Sequence, residues 1–338
     1  MSRLCLQPDE VEAIKGTLAE ITAGIDSVED ERFQRDAAVH AHELPRRVRQ
    51  HLAEFRLYEP QSALAIISGY PMDQEKIGPT PAHWKNKSAR SGALEEEVLL
   101  VLLGSLLGDC IGWATQQEGY VVHDLIPIKG HEGEQLGSGS EELLWWHTED
   151  AFHPYRGDYL GMLCLRNPDE VATTFASLEG LPLAEEQIDL LFAPHYTIRP
   201  DESHLKKNRP SPVEGELVSA YEHIEQMNTR PEKIAVLHGD RSTPYVRIDP
   251  YFMDPVEDNE RAQEALDALI GFIEGQIQDL ILQAGDFCFI DNFKAVHGRK
   301  PFKARFDGTD RWMKRINITR DLRKSRMSRR QSDSRIIL

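Results

Sequence analysis

The chain has 338 residues, of which 40% are hydrophobic, and this composition supports a substantial core and excludes a disordered or fibrous protein. The formal net charge of −17, from 56 acidic and 39 basic residues, argues against a nucleic-acid-binding surface. Since no apolar run reaches transmembrane length and the N-terminal residues lack the long apolar stretch of a signal peptide, we expect a cytoplasmic protein that binds no membrane.

Helices are predicted for most of the first quarter of the chain. Pro8-Asp9-Glu10 opens a helix with acidic residues in its first turn, and apolar residues follow at helical spacing. Further helices are predicted for residues 44–55 and 93–107, and residues 64–67 form a short strand between them. We assign residues 1–110 to a mixed, mainly helical flank of the same domain as the residues that follow.

The pattern changes after residue 112 to short β-prone runs separated by Gly, Pro and Asp. The predicted strands are 119–126, 143–147, 159–165, 173–177, 233–237, 245–248, 286–290 and 312–318. About eight strands suit a jelly roll, or double-stranded β-helix, in which two antiparallel sheets enclose a pocket. We therefore predict an α+β fold with a jelly-roll catalytic core at 111–320 and flanking helices.

Two helical stretches and one long loop interrupt the predicted strands. The helices are predicted at 183–192 and 259–280, whereas 199–215 is polar and Pro-rich and is predicted to be a loop or lid. The tail at 321–338 carries many Arg and Ser residues. We interpret it as a basic, flexible end, and a nucleic-acid-binding arm is the less favoured alternative.

A histidine and a glutamate separated by one residue form the sharpest local motif. On a strand, residues i and i+2 point to the same face, so His147 and Glu149 could bind one ion together. They would supply two ligands of the facial triad of a non-haem Fe(II) oxygenase, in which a co-substrate and O₂ fill the open positions. The alternative is that such a pair arises by chance on a half-exposed strand.

A second motif, near the C-terminus, supplies a further histidine and two arginines. A Gly-Asp turn and a buried strand at 285–291 are followed by His297-Gly298, and Arg311 and Arg315 lie further along in a β-prone run. The distal carboxylate of 2-oxoglutarate requires a fixed guanidinium at such a place, although each arginine alone could be a surface charge. The combination predicts a mononuclear Fe(II) oxygenase with 2-oxoglutarate and O₂ as co-substrates.

These motifs resemble the clavaminate synthase-like group of Fe(II)/2-oxoglutarate oxygenases, specifically its branch of hydroxylases acting on free arginine or lysine. The resemblance extends over about 116–315 and is carried by TQQEGYVVHDLIP, WWHTEDAFHPYRGDYLGMLCLRNPD, YVRIDPYFMD and GDFCFIDNFKAVHGR. In that branch the carboxylate ligand is glutamate rather than aspartate, which Glu149 matches. Asp150 is expected to point the other way along the strand.

The resemblance implies a role for each matching residue. His147, Glu149 and His297 would bind Fe(II). Arg311 would bind the distal carboxylate of 2-oxoglutarate with help from the hydroxyl of Thr173.

A free amino acid would lie beside this centre. By resemblance, Arg315 would bind its α-carboxylate, and Gln116 and the far side of Glu149 would receive its α-amine. A zwitterion needs opposite charges at its two ends, and these residues supply them.

The residues for the substrate side chain decide the predicted substrate. The arginine enzymes of this branch hold the guanidinium with two acids two residues apart, whereas here Asp249 is followed by Tyr251. One carboxylate and one phenol suit an ammonium better than a planar guanidinium. We therefore predict C3 or C4 hydroxylation of L-lysine, with an L-arginine (or arginine-derived) hydroxylase or desaturase as the alternative. Asp249 could instead only cap the Asp-Pro turn.

Two functions of other classes remain as rivals. A cupin-like sugar-binding or isomerase module would share the jelly roll without using 2-oxoglutarate, but Arg311 and Arg315 argue against it. A non-catalytic regulator would have the same fold without the catalytic residues, and the complete set of metal ligands argues against that. The sequence indicates no oligomeric state.

Overall fold

The computed structural model describes residues 2–206 and 213–338. In these residues the helices are α1 (Pro8–Thr22), α2 (Glu31–Ala41), α3 (Arg46–Tyr58), α4 (Gln74–Ile77), α5 (Leu94–Ser105), α6 (Glu185–Leu191), α7 (Glu216–Thr229) and α8 (Glu260–Gln276). The strands are β1 (Ser2–Cys5), β2 (Leu64–Ser68), β3 (Asp109–Trp113), β4 (His123–Leu125), β5 (Leu144–His147), β6 (Tyr159–Arg166), β7 (Thr173–Ser177), β8 (Leu237–His238), β9 (Tyr245–Val246), β10 (Gln278–Leu280), β11 (Phe287–Asp291), β12 (Ala295–Arg299), β13 (Trp312–Thr319) and β14 (Ile336–Ile337).

Two sheets form the jelly roll. The larger has the order β1-β2-β11-β6-β13-β3-β14, with β4 also paired to β13, and the smaller has the order β10-β7-β12-β5. One core cluster joins the sheets, because Met162 and Cys288 of the larger pack with Phe175 of the smaller. The predicted α+β fold with a jelly-roll core is confirmed, and each of the eight predicted runs contains or overlaps a strand.

The N-terminal residues pack on the outer face of the larger sheet. Leu18 of α1, Leu52 of α3 and Leu100 of α5 are completely buried in the same core cluster as Leu163 and Phe287 of the sheet. Strands β1 and β2 extend that sheet at one edge. The first 110 residues and the jelly roll therefore share a hydrophobic core.

Several predicted boundaries differ from the structure. The helix predicted to reach residue 280 ends at Gln276, because Gln278–Leu280 pairs with β7 as strand β10. Strand β12 lies outside the predicted strands, since Gly298 interrupts its short β-prone pattern. Helices α2 and α7 also lie outside the predictions. Both are mostly polar, and α7 buries only three side chains.

The predicted lid and tail are more ordered than expected where the structure describes them. Of 199–215, residues 207–212 lie outside the described residues, and a short 3₁₀ turn at Glu202–His204 buries His204 completely. In the tail, β14 pairs in parallel with β3. The buried Arg329 donates to four backbone carbonyl groups there, so the predicted flexible tail differs from this packed segment. None of the helices in the described ranges is long and apolar enough to cross a membrane.

Candidate active site

Two histidines lie opposite each other on neighbouring strands of the smaller sheet. His147 ends β5 and pairs with His297 of β12, and their ring centroids are 4.7 Å apart. The strands approach closely because residue 298 is glycine: a Cβ atom there would lie 2.5 Å from the carbonyl oxygen of Leu144. The Nδ1 atom of His147 lies 2.7 Å from the carbonyl oxygen of Trp145, to which it donates. This hydrogen bond leaves Nε2 free to act as a ligand.

Glu149 lies just past the end of β5 and turns towards both imidazoles. Its Oε2 atom lies 3.7 Å from Nε2 of His147 and 3.2 Å from Nε2 of His297. The side chain of Asn292 fixes its backbone, since Oδ1 accepts the Glu149 N–H at 2.7 Å and Nδ2 donates to the Glu149 carbonyl at 3.0 Å. Asn292 was not among the predicted site residues.

The three side chains form a group of suitable composition for a metal ion. One ligand atom from each of His147, Glu149 and His297 lies within 4.8 Å of the others. Burial opposes charge on Glu149, but the charge of Arg315 and the proximity of both histidines hold the pKa of this carboxyl well below its usual range. Burial lowers the pKa of His297, which keeps its imidazole neutral as a ligand must be. Two imidazoles and one carboxylate are the donor set of the Fe(II) facial triad.

A second group, Asp150 with Asp201 and His204, also has donor atoms close together. The carboxylate of Asp150 already accepts hydrogen bonds from Nε1 of Trp113 (2.6 Å), Nδ2 of Asn317 (2.9 Å) and Nε2 of His204 (3.1 Å). Because these donors surround the carboxylate, this group is a hydrogen-bonding centre and not a ligand set. Asp150 lies in a turn after β5 rather than on the strand, so the predicted strand alternation does not set its direction.

Arg311 is buried just before β13 without a counter-charge. Its Nη2 atom donates to Oγ1 of Thr173 at 3.2 Å, and no carboxylate of residues 2–206 or 213–338 forms an ion pair with it. Burial lowers its pKa to about 10, so the guanidinium remains charged at neutral pH. A buried unpaired charge is costly, and a carboxylate ligand would neutralise it. The pair therefore fits the distal carboxylate of 2-oxoglutarate.

The residues predicted to bind the amino-acid backbone also lie together. Arg315 contacts Oε1 of Glu149 through Nη1, and its Nη2 atom donates to Oε1 of Gln116 at 3.2 Å. Gln116 is buried, and its Nε2 atom donates to Oγ of Ser203. One cation and one anion thus stand side by side, as the α-carboxylate and α-amine of an amino acid require.

His123 is a residue of this group that the sequence did not reveal. Its Nδ1 atom accepts from Nη2 of Arg315 at 2.8 Å, and its Nε2 atom donates to the carbonyl of Tyr120 at 2.9 Å. Burial, followed by the charge of Arg315, lowers the pKa of His123 well below its ordinary value. The ring is therefore neutral, with an acceptor fixed towards Arg315.

Replacing His123 with leucine is expected to raise the KM for the amino acid about tenfold, because a buried hydrogen bond to a charged group contributes about 1.5 kcal/mol. The KM for 2-oxoglutarate should stay within twofold of the wild-type value. Steady-state kinetics with each substrate varied in turn measures both. The exposed His42, changed to leucine, is the matched control. An unchanged amino-acid KM would show that His123 does not hold Arg315.

The three candidate metal ligands, Arg311 with Thr173, and Arg315 with Gln116 all line one cleft. Asp249 and Tyr251 line the same cleft, and Asp201 reaches it from the predicted lid segment. Burial and the charge of Asp201 raise the pKa of Asp249 to about 7. Tyr251 is 51% exposed. Asp201 is a second acid that lines the cleft beside Asp249, and sequence spacing did not reveal it.

Comparisons with known proteins agree with this geometry. The model of the family described as "Taurine catabolism dioxygenase TauD, TfdA family" matches residues 114–317. An L-ornithine/L-arginine 3-hydroxylase of Catenulispora acidiphila is 46% identical over 343 residues, which cover 100% of both chains. An enduracididine beta-hydroxylase of Streptomyces hygroscopicus is 44% identical over 342 residues, again 100% of both chains.

A solved structure is similar over the whole chain as well. The non-heme iron oxygenase OrfP in complex with Fe, succinate and (3S)-hydroxy-L-Arg has a TM-score of 0.96 to this chain at 44% identity, with 100% of both chains covered. Other structures of OrfP contain Fe with alpha-ketoglutaric acid (TM-score 0.88, 43% identity, 99% of this chain and 100% of that chain) or Fe with L-Arg (TM-score 0.86, 41% identity, 100% of both chains).

Proposed function

Because this chain belongs to the TauD/TfdA family, in its branch of basic amino-acid hydroxylases, we propose that it hydroxylates free L-arginine at C3. The predicted reaction class is confirmed: the protein is an Fe(II)- and 2-oxoglutarate-dependent amino-acid hydroxylase. Family membership argues against the cupin-like module and the non-catalytic regulator. Within the basic amino acids, the comparisons support the arginine alternative better than lysine.

The observation that carries the arginine proposal is the second acid of the cleft. The prediction of lysine depends on Tyr251 standing where the second acid of the sequence motif would be. Asp201 supplies that acid from a distant segment and lies near enough to Asp249 for its charge to raise the pKa of that carboxyl. A planar guanidinium with several donors suits two carboxylates, whereas an ammonium is satisfied by one. A cation between them would also relieve their mutual repulsion.

The backbone of the substrate would bind beside Arg315 and Glu149, which contact each other in the cleft. Arg315 would leave Glu149 partly to bind the α-carboxylate, while Gln116 and Glu149 would accept hydrogen bonds from the α-amine. Charges fixed at both ends determine which carbon lies beside the metal centre. The relatives act at the 3 or β position by name, and this supports C3.

The residues of the chain bind and orient the reactants. His147, Glu149 and His297 would hold the iron, and Arg311 with Thr173 would hold the distal carboxylate of 2-oxoglutarate. Bound iron, with O₂ and 2-oxoglutarate, supplies the oxidation that inserts one oxygen atom into a C–H bond while succinate and CO₂ form. Because these side chains are mostly buried, binding of the amino acid over them would exclude bulk water from the reaction.

The proposal is tested by separate incubations of the enzyme with iron, 2-oxoglutarate and each of L-arginine, L-ornithine and L-lysine. We expect L-arginine to gain one oxygen atom by mass, at C3 by NMR, with a larger kcat/KM than L-lysine. A product that loses two hydrogens would instead show desaturation. A larger kcat/KM for L-lysine would contradict the arginine proposal and leave the reaction class intact.

Asp201→Asn and Asp249→Asn should each raise the KM for L-arginine about tenfold or more, because each change removes a charged partner of the guanidinium. L-Lysine, which needs one carboxylate, should lose much less with Asp201→Asn. Tyr58→Phe is the control, since Tyr58 is exposed and lies outside the cleft. Steady-state kinetics with both amino acids measures these differences. Equal losses for arginine and lysine with Asp201→Asn would show that Asp201 does not select the guanidinium.

A further inference from the structure

A short turn carries two residues of the cleft and is fixed by a third that faces away from it. Asp201 starts the 3₁₀ turn at Glu202–His204 by accepting the N–H of Ser203 at 2.9 Å. Asp201 and Ser203 line the cleft, and Ser203 is hydrogen-bonded to Gln116. His204, the next residue, is 0% exposed. A polar segment that would otherwise lie in solvent therefore inserts a histidine into the protein.

Both nitrogen atoms of this histidine have partners. Nε2 of His204 lies 3.1 Å from Oδ1 of Asp150, and Nδ1 lies 2.7 Å from Oγ1 of Thr115. Its ring packs edge-on against Trp113 and Phe152, with centroid distances of 5.6 and 4.8 Å. The position of the turn is thus determined by contacts behind the metal centre.

The partner of His204 adjoins a residue of that centre. Asp150 follows Glu149 and has a φ of +50°, a left-handed conformation that costs an L residue free energy. Hydrogen bonds from Trp113 and Asn317 hold its side chain in addition to the bond from His204. The carboxylate of Asp150 is thereby directed to Trp113, Asn317 and His204. The carboxylate of Glu149 faces His147 and His297 instead.

We propose that His204 is a positioning residue that joins the turn carrying Asp201 and Ser203 to the turn carrying Glu149. The His204–Asp150 hydrogen bond keeps the acid that binds the substrate cation at a fixed distance from the carboxylate of the metal centre. The substrate carbon is thereby held where oxidation occurs. This inference rests on the proposed function. Without the bond the substrate would be held loosely. Part of the 2-oxoglutarate would then be converted to succinate and CO₂ without hydroxylation, and ascorbate supplied in the assay would reduce the second oxygen atom of O₂ to water.

Two substitutions separate the hydrogen bond from simple packing. His204→Gln can place an N–H donor where Nε2 lies, towards Asp150, whereas His204→Asn reaches only as far as the Nδ1 position, towards Thr115. We measure the hydroxylated amino acid formed per succinate and the KM values of L-arginine and 2-oxoglutarate. His195→Gln is the matched control, since its partly exposed side chain lies outside the cleft.

We expect His204→Asn to lower the ratio of product to succinate about fivefold and to raise the KM for L-arginine, with the KM for 2-oxoglutarate within twofold. His204→Gln should restore most of the ratio. An unchanged ratio in His204→Asn, or equal losses in both variants, would overturn the proposal. If His204→Asn does not fold, a ratio in His204→Gln well above that of a His204→Leu variant supports the proposal, and equally low ratios in these two variants overturn it.

The two proposals fail in different ways. If the wild type does not hydroxylate L-arginine, the ratio is measured with the amino acid that it does hydroxylate. A lowered ratio there in His204→Asn, restored in His204→Gln, would support the positioning role and contradict only the choice of arginine.

Discussion

Alanine in place of His147, Glu149 or His297 is expected to abolish amino-acid hydroxylation and to weaken iron binding more than about a hundredfold. Each change removes one of three protein ligands, and loss of residues that merely orient ligands already costs up to about a hundredfold in metal affinity. The donor atoms of these residues lie within 4.8 Å of one another, so all three can bind the same ion. Iron content after gel filtration and product formation by mass spectrometry measure the two effects.

The control for these variants is His131→Ala, since the ring of His131 lies beside the site and is hydrogen-bonded to Ser138 rather than to the group. This variant should bind iron as the wild type does. Hydroxylation near the wild-type rate by any one of the three ligand variants would contradict the assignment of the metal centre.

Arg311→Ala should raise the KM for 2-oxoglutarate more than about a hundredfold, because removing one partner of a buried ion pair costs about 3–5 kcal/mol. Arg311→Lys keeps the charge but loses the two-pronged donor, so its KM should lie between those of the wild type and the alanine variant. Thr173→Val should have a smaller effect, about tenfold, since it removes one neutral hydroxyl group. Steady-state kinetics with 2-oxoglutarate varied measures all three.

The same change should leave folding intact. Arg311 has no carboxylate partner among the described residues, so its removal abolishes an uncompensated buried charge rather than an ion pair. The denaturant concentration at the unfolding midpoint of Arg311→Ala should therefore be close to that of the wild type. Only the small cavity left by the shorter side chain should lower it. A KM for 2-oxoglutarate that does not change would show that Arg311 has another role.

The parts of the site that could be predicted from sequence depend on local geometry. His147 and Glu149 are separated by one residue, and Glu149 turns towards His147 just past the end of β5. Arg311 and Arg315 are four residues apart at the start of β13, and both reach the cleft. Spacing along one segment is visible in a sequence, so these residues could be named in advance.

The residues that sequence did not reveal come from distant segments. His123 reaches Arg315 because β4 pairs with β13, and Asn292 reaches Glu149 across a long separation in the chain. Asp201 and His204 lie in a polar segment whose composition is typical of a solvated loop. In the structure, hydrogen bonds of His204 with Asp150 and Thr115 hold this segment. Such contacts are set by the tertiary fold and leave no periodic pattern.

The sequence predicted lysine for the same reason, because a local motif does not show contacts between distant segments. Asp249 and Tyr251 are neighbours in sequence, and the pair alone favours an ammonium. The second carboxylate of the cleft belongs to Asp201 and becomes part of the site only when the chain folds. The proposed recognition of a guanidinium depends on a contact between segments, which the motif alone does not contain.

A competition assay tests the proposed substrate most directly. L-Arginine and L-lysine at equal concentrations are incubated with the enzyme, iron, 2-oxoglutarate and O₂, and both hydroxylated products are quantified in one mass spectrum at low conversion. Their ratio equals the ratio of the two kcat/KM values. We predict that hydroxyarginine exceeds hydroxylysine at least about tenfold, and that Asp201→Asn reduces this excess. Equal amounts of the two products, or an excess of hydroxylysine, would contradict guanidinium recognition by Asp201 and Asp249.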